Sequence, residues 1–278
     1  MNRACIITMA AAAVLVISGP AYATVLWEAT FDDPGKVDGD TLTSTANTGT
    51  DGPAVGTTEN ANVKYATSHA VGGLAARFSG GGGAAGDTGE RITFGTDADR
   101  FTSIPYDTDV TFSFSMNVHA TGANSKPFGQ YDTSLPWGNW QFDTARKLSM
   151  VVCGLGGGIS YTFPEDEWVH IVVTQDRNGG VADASQPLGY RSLTNLYVNG
   201  EFETSYPFGR TWSRADWIQE IGAYYKSMTL LMDDVRLQTG FLDAAGAKAL
   251  YEADMIPEPA TMVLLAAGGA ALLLRRRR

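Results

Sequence analysis

Val110-Thr111-Phe112-Ser113-Phe114-Ser115-Met116 alternates apolar and small polar side chains without a break. In an extended chain successive side chains point to opposite faces, so Phe112 and Phe114 share one face. Outward from this stretch the same grammar recurs. Trp168-Val169-His170-Ile171-Val172-Val173-Thr174 reads as a more continuously apolar strand, and Leu230 to Leu237 as another. Leu196-Tyr197-Val198-Asn199-Gly200-Glu201-Phe202 reads as strand, tight Asn-Gly turn, strand. Glycine is abundant and helical periodicity nearly absent, which predicts an all-β antiparallel sandwich. The expected exception is a short helix over Leu242 to Glu252, with Asp243 at its start and Leu250 and Tyr251 packing back on the sandwich. Gly80-Gly81-Gly82-Gly83 has neither the helix start nor the Lys-Ser/Thr of a phosphate cradle and reads as a loop. No repeat or second domain boundary interrupts residues 24–254.

The two ends do not read as fold. Met1-Asn2-Arg3, an apolar run from Ala4 to Ile17 and Ala21-Tyr22-Ala23 have the order of a secretory signal. Residues 1–23 are the expected leader, cut behind Ala21 and Ala23. At the other end Pro257-Glu258-Pro259 precedes an apolar stretch over 260–274, and Arg275, Arg276, Arg277 and Arg278 close the sequence. As a helix, fifteen residues span only ~22 Å, short of the ~30 Å hydrocarbon core. Terminal arginines would hold such a helix at the cytoplasmic side as a temporary stop. The two prolines keep the segment ahead of it extended, within reach of a processing enzyme.

Charge and cysteine content narrow the function classes. The 278 residues carry a net charge of −10, and five of the 20 basic residues lie in the ends, at Arg3 and Arg275–Arg278. The body is therefore more acidic than the total shows. It repels phosphate backbones and shows no basic patch, which excludes nucleic acid as a natural partner. Cys5 falls inside the leader, so Cys153 is the one mature cysteine and no intramolecular disulfide is expected. Stability must come from a hydrophobic core and from any metal the chain binds.

The tail resembles the PEP-C-terminal (PEP-CTERM) sorting signal of Gram-negative bacteria in motif, order and position. That resemblance covers residues 255–278 and implies recognition by an exosortase, a membrane cysteine transpeptidase-like protease. It also implies transient anchoring in the inner membrane and delivery to the cell surface or extracellular matrix. The middle resembles laminin-G-like, concanavalin A-like jelly rolls in four blocks kept in order. These are Arg77-Phe78-Ser79-Gly80 with Glu90-Arg91-Ile92, Glu167 to Thr174, Leu196 to Gly200, and Ile221-Gly222 with Met232-Asp233-Asp234-Val235-Arg236-Leu237 and Leu242 to Tyr251. The fold so implied is a jelly-roll sandwich with a short C-terminal helix and a separate hydrophobic helix in the tail.

Catalytic chemistry finds little support in the residues. Glucanases of the resembled superfamily carry Glu-x-Asp-x-Glu, whose alternation presents three carboxylates to one cleft. Here Glu165-Asp166-Glu167 is contiguous, follows Pro164, and reads as a solvated turn. His170 reads as a packing or hydrogen-bonding residue, and His69 and His119 lie beside no nucleophile motif. A metal is more plausible. If Val235 and Leu237 face the core, two-residue periodicity puts Asp233 on their side, where a carboxylate needs hydrogen bonds or a cation. The jelly-roll resemblance implies a structural Ca²⁺ at Asp233, helped by N-terminal carbonyls and by Asp33, since Ca²⁺ takes hard oxygen ligands. Sugar rings stack on aromatic faces, and Tyr131, Trp137, Trp140, Trp212 and Trp217 lie in Gly-rich or polar segments, so they are the candidate ligand platforms. The sequence thus predicts a non-catalytic glycan-binding or adhesive surface module, with extracellular polysaccharide as partner. A purely structural exopolysaccharide-associated protein and a divergent polysaccharide hydrolase are its rivals.

Overall fold

The computed structural model describes residues 23–46, 48–49, 55–58, 63–69, 73–79, 90–94, 108–129, 140–150, 159–182, 190–208, 220–224 and 228–255. In chain order the strands are β1 (Val25–Ala29), β2 (Ser44–Ala46), β3 (Val55–Thr58), β4 (Lys64–Thr67), β5 (Leu74–Ser79), β6 (Arg91–Phe94), β7 (Val110–Thr121) and β8 (Lys126–Gly129). They continue as β9 (Trp140–Phe142), β10 (Lys147–Met150), β11 (Ile159–Thr162), β12 (Trp168–Ala182), β13 (Tyr190–Val198), β14 (Glu201–Phe208), β15 (Glu220–Tyr224) and β16 (Met228–Thr239). Helix α1 (Ala244–Met255) follows.

Every pairing among these strands is antiparallel. One sheet runs β14-β13-β12-β7-β16-β5-β4, with β1 also paired to β16; a second runs β2-β3-β6-β15-β8 and a third β11-β10-β9. The first two face each other through aromatic contacts. Trp27 of β1 meets Phe94 of β6 edge-on at 4.7 Å, and Phe112 of β7 meets Phe128 of β8 at 5.2 Å. One continuous buried cluster joins all three sheets. This is the antiparallel sandwich the alternating pattern predicts.

Phe112 and Phe114 both enter that core. The opposite face of β7 departs from expectation, because Ser113 and Ser115 are buried as well. The reason is α1, whose C-terminal end lies over this outer face and brings Met255 Sδ within 3.4 Å of Ser115 Oγ. The helix begins where Asp243 Oδ1 accepts the Gly246 N–H at 2.8 Å, an N-cap that satisfies one orphan donor. It extends past the predicted Glu252 to Met255. Ala247, Leu242 and Leu250 pack on Val172 and Tyr197 of β12 and β13.

The Asn-Gly turn between β13 and β14 forms as predicted, with φ of 50° at Asn199 and 79° at Gly200. Positive φ at both central positions is what a tight two-residue hairpin turn requires. Gly200 also lies under α1: a Cβ there would meet Tyr251 Cδ1 at 3.0 Å and Lys248 Cα at 3.2 Å. Gly200→Ala is expected to cost about 1–2 kcal/mol through both the φ penalty and the lifted helix. Urea unfolding of the variant beside the parent measures it; an unchanged midpoint would mean that α1 does not bear on the turn.

Candidate functional site

On the core side of β16, Met228, Leu230 and Met232 alternate inward, but Val235 and Leu237 continue the inward set after an extra residue. A register shift against β7 lies between Asp233 and Arg236, and Asp234 takes φ 49°. This is a β-bulge, which inserts a residue and re-aims the side chains around it. Its consequence corrects the sequence reading: Asp233 does not share a face with Val235 and Leu237. It pairs with Ser115, and Arg236 pairs with Ser113, both serines on the outer face. The bulge also falls where the neighbour of β16 changes. Met232 still pairs with Ala76 of β5, whereas Val235 pairs with Ala29 of β1.

That junction gathers polar groups. Asp233 is only 3% exposed. The Ser68 hydroxyl donates to Asp233 Oδ2, and the Asp234 N–H donates to Oδ1 at 2.9 Å. Burial is the main force on its carboxyl; the Asp234 charge adds to it, the two hydrogen bonds oppose it, and the charge of Asp32 adds a little more. The result is a pKa pushed up to about 9, so the carboxyl holds its proton at neutral pH. His69 joins from the segment after β4. Its Nε2 lies 3.4 Å from Asp234 Oδ2 and 2.9 Å from the Asp254 carbonyl, and its Nδ1 lies 3.2 Å from Ser68 Oγ. Trp168 packs against the imidazole at a ring separation of 4.8 Å. Ligand atoms of His69, Asp233 and Asp234 all fall within 4.8 Å of one another.

A second set of charges lies beside this one. Arg236 Nε donates to Glu28 Oε1 at 2.6 Å, and its Nη1 lies 3.4 Å from Asp254 Oδ1. Asp254 Oδ2 in turn meets Nε2 of the fully buried His170 at 3.1 Å. Burial works against the Arg236 charge, but Asp254 and Glu28 outweigh it and raise its pKa. His170 is thus the hydrogen-bonding residue the sequence predicted, and its partner is the end of α1.

Asp33 does not join the Asp233 cluster. Phe31 has φ 60°, which turns the chain after β1, and the two aspartates that follow take different partners. Asp32 Oδ1 accepts the Leu74 N–H at 2.8 Å, bridging to the start of β5. Asp33 instead accepts the Tyr65 phenol at 3.2 Å. Burial first, then the Asp33 charge, pushes Tyr65 up to about 12, so its phenol remains a donor. Asp33 and Tyr65 line an open cavity of about 350 Å³ together with Thr30, Asp32, Thr45 and Thr48. Carboxylates, hydroxyls and the aromatic rings of Phe31 and Tyr65 converge there, and the volume is that of a small-ligand pocket.

Of the predicted platforms, Trp140 is corrected. It is 4% exposed and stands in the core against Phe112, Phe114 and Phe128, at 5.2, 5.7 and 5.4 Å. Tyr131, Trp137, Trp212 and Trp217 lie outside the described residues, as do Ala21 of the expected leader, Cys153 and everything from Ile256 to Arg278. The Glu165-Asp166-Glu167 segment is exposed, with Asp166 at φ 59°, as a solvated turn should be. His119 joins it through a 2.8 Å contact from Nδ1 to Asp166 Oδ1. Sequence reasoning missed His69 and Asp234. The available signal was the Asp233-Asp234 pair itself, two carboxylates side by side in an otherwise apolar strand.

Residues 256–278 match the family model of the PEP-CTERM protein-sorting motif. The chain is therefore an exported protein sorted by exosortase. No curated protein matches it in sequence. The solved structures it is similar to include the botulinum neurotoxin type G receptor-binding domain, at a TM-score of 0.52 and 10% identity over 82% of this chain and 51% of that one. The binding domain of Paraclostridial Mosquitocidal Protein 1 matches at 0.52 and 12% identity, over 83% and 52%. The botulinum neurotoxin serotype D ligand-binding domain in complex with N-acetylneuraminic acid matches at 0.52 and 10%, over 84% and 52%. The chain thus spans about half the length of these structures, and the likeness establishes the β-rich jelly-roll fold.

Proposed function

We propose that this chain is a non-catalytic surface or matrix protein whose sandwich binds an extracellular glycan, delivered there by its sorting tail. The observation that carries the reading is the sorting motif behind a jelly roll whose first strands frame a hydroxyl- and carboxylate-lined cavity. Such a lining suits a polyhydroxylated ligand, because each sugar hydroxyl both donates and accepts and needs partners of both kinds. The Tyr65 phenol orients Asp33 as a fixed acceptor at its wall. One of the neurotoxin domains that this chain resembles, over about half of that domain's length, has been solved in complex with N-acetylneuraminic acid, which is in keeping with this reading. Trp137, three residues before the buried Trp140 in the sequence, is the proposed stacking platform.

Two measurements test the two halves of this reading. Intact-mass analysis of the protein recovered from the cell surface is expected to show loss of the tail; a mass that runs through Arg278 refutes processing by exosortase. Binding to a glycan array, followed by calorimetry on the best ligand, is expected to weaken at least tenfold in Asp33→Ala or Trp137→Ala. A chain that binds no glycan at millimolar concentration is instead the structural matrix protein.

A further inference from the structure

Calcium takes six to eight oxygen ligands at 2.3–2.6 Å, whereas the side chains that gather around Asp233 among the described residues include an imidazole. Asp33 has turned away to Tyr65, while an imidazole nitrogen has entered. We propose that His69, Asp233 and Asp234, together with the main-chain carbonyl of Asp254, form a site for a first-row divalent transition metal such as zinc.

Geometry carries the inference first. Two ligands held ~2.1 Å from one ion lie ~3.0 Å apart at a right angle and ~3.4 Å apart at the tetrahedral angle. His69 Nε2 lies 2.9 Å from the Asp254 carbonyl and 3.4 Å from Asp234 Oδ2. Each of these two separations from Nε2 is one that a pair of ligands on a shared ion would have. The β-bulge supplies the next argument, because regular alternation would send Asp233 and Asp234 to opposite faces. With Asp234 at φ 49° the two carboxylates converge instead.

Charge supplies the third. The side chains of His69 and Asp234 are 5% and 17% exposed, and Asp233 is buried beside Asp234 with Asp32 in range. Arg236 directs its guanidinium to Glu28 and Asp254 and reaches Asp234 only at longer range. A divalent ion would compensate the Asp234 carboxylate and take the place of the proton that Asp233 otherwise holds. The donor chemistry then selects the ion, since imidazole suits zinc, copper, iron and nickel while calcium and magnesium prefer oxygen. The surroundings orient the ligand: with an ion on Nε2, the His69 proton moves to Nδ1 and faces Ser68 Oγ, and Trp168 holds the ring plane. Because Asp254 is the penultimate residue of α1, the ion would also fix the end of the helix to the sheet.

The test uses the exported protein stripped with chelator and then titrated with zinc, cobalt or calcium alone. Zinc at a hundred times its dissociation constant is expected to raise Tm by about 5–10 °C, with one ion bound per chain. Calcium at the same concentration is expected to leave Tm unchanged, and cobalt to show the visible band of a nitrogen- and oxygen-ligated ion. His69→Gln is expected to abolish the zinc shift and the cobalt band. Asp233→Asn keeps an acceptor for the Asp234 N–H and a donor for Ser68, so it is expected to fold as well as the parent in chelator and to lose the zinc shift. A zinc shift that survives in both variants places the ion elsewhere and overturns the proposal. So does a shift with calcium but none with zinc, or no shift with any of the three.

Discussion

Trp140→Ala is expected to cost about 3–5 kcal/mol and to lower Tm by roughly 10 °C, without acting as a ligand-binding mutation. The indole sits on the three-residue strand β9, where Trp140 pairs with Met150 of β10. Three phenylalanines surround it with their planes 67–89° from its own. Phe112 and Phe114 belong to the eight-stranded sheet and Phe128 to the five-stranded one, so the indole is where the three sheets meet. Edge-on aromatic pairs add about 0.5–1.5 kcal/mol each beyond area burial. Truncation to alanine leaves a cavity that three rigid rings cannot collapse into. Trp140→Phe keeps part of the volume and is expected to recover half or more of the loss. Denaturant unfolding followed by far-ultraviolet circular dichroism measures both, and glycan binding well below Tm should match the parent. A variant of parental stability that has lost its ligand would return Trp140 to the surface.

Trp140 also shows where sequence reading stopped. Phe112-x-Phe114 was legible because alternation is local, and so were the Asn199-Gly200 turn and the Asp243 cap. Each is written within a few neighbouring residues and obeys one backbone geometry. Trp140 lies in a short strand amid glycine and polar residues, and its burial is decided by rings on other strands that no local pattern reveals. Asp233 failed differently. Counting by two from Val235 and Leu237 is right for a regular strand, and one inserted residue at the bulge inverts the answer. His69 reaches Asp234 from more than half the chain away, through the accident that β4 and β16 belong to one sheet. The His69, Asp233 and Asp234 cluster was therefore legible as an anomaly, two adjacent acids, but not as a three-residue group.

Arg236→Met is expected to cost about 2–3 kcal/mol, and its effect should concentrate at the end of α1. The guanidinium stands between two acids from distant parts of the chain, Glu28 of β1 and Asp254 of α1, at 2.6 and 3.4 Å. Methionine preserves most of the apolar stem over Ser113 but leaves both acids in a largely buried space. Breaking a buried pair in this way is strongly destabilising, up to about 3–5 kcal/mol, and partial exposure trims the figure. Asp254 retains its contact with His170, and its carbonyl still meets His69. Helix α1 should therefore remain docked through Ala247 and Leu250 and fray only in its last turn. Hydrogen exchange is expected to speed up at 252–255 and at Glu28, with little change at Val172 or Tyr197. Adding Glu28→Gln to Arg236→Met removes one of the orphaned charges and should restore about 1 kcal/mol; no recovery would mean that the loss comes from packing. Because the sorting motif begins at Ile256, directly after this turn, the same variant separates two demands on the tail. If exosortase needs only an extended, reachable segment, the frayed variant is processed at least as fast as the parent. Slower processing in a variant that still folds would mean that the enzyme reads the docked end of α1 together with the motif.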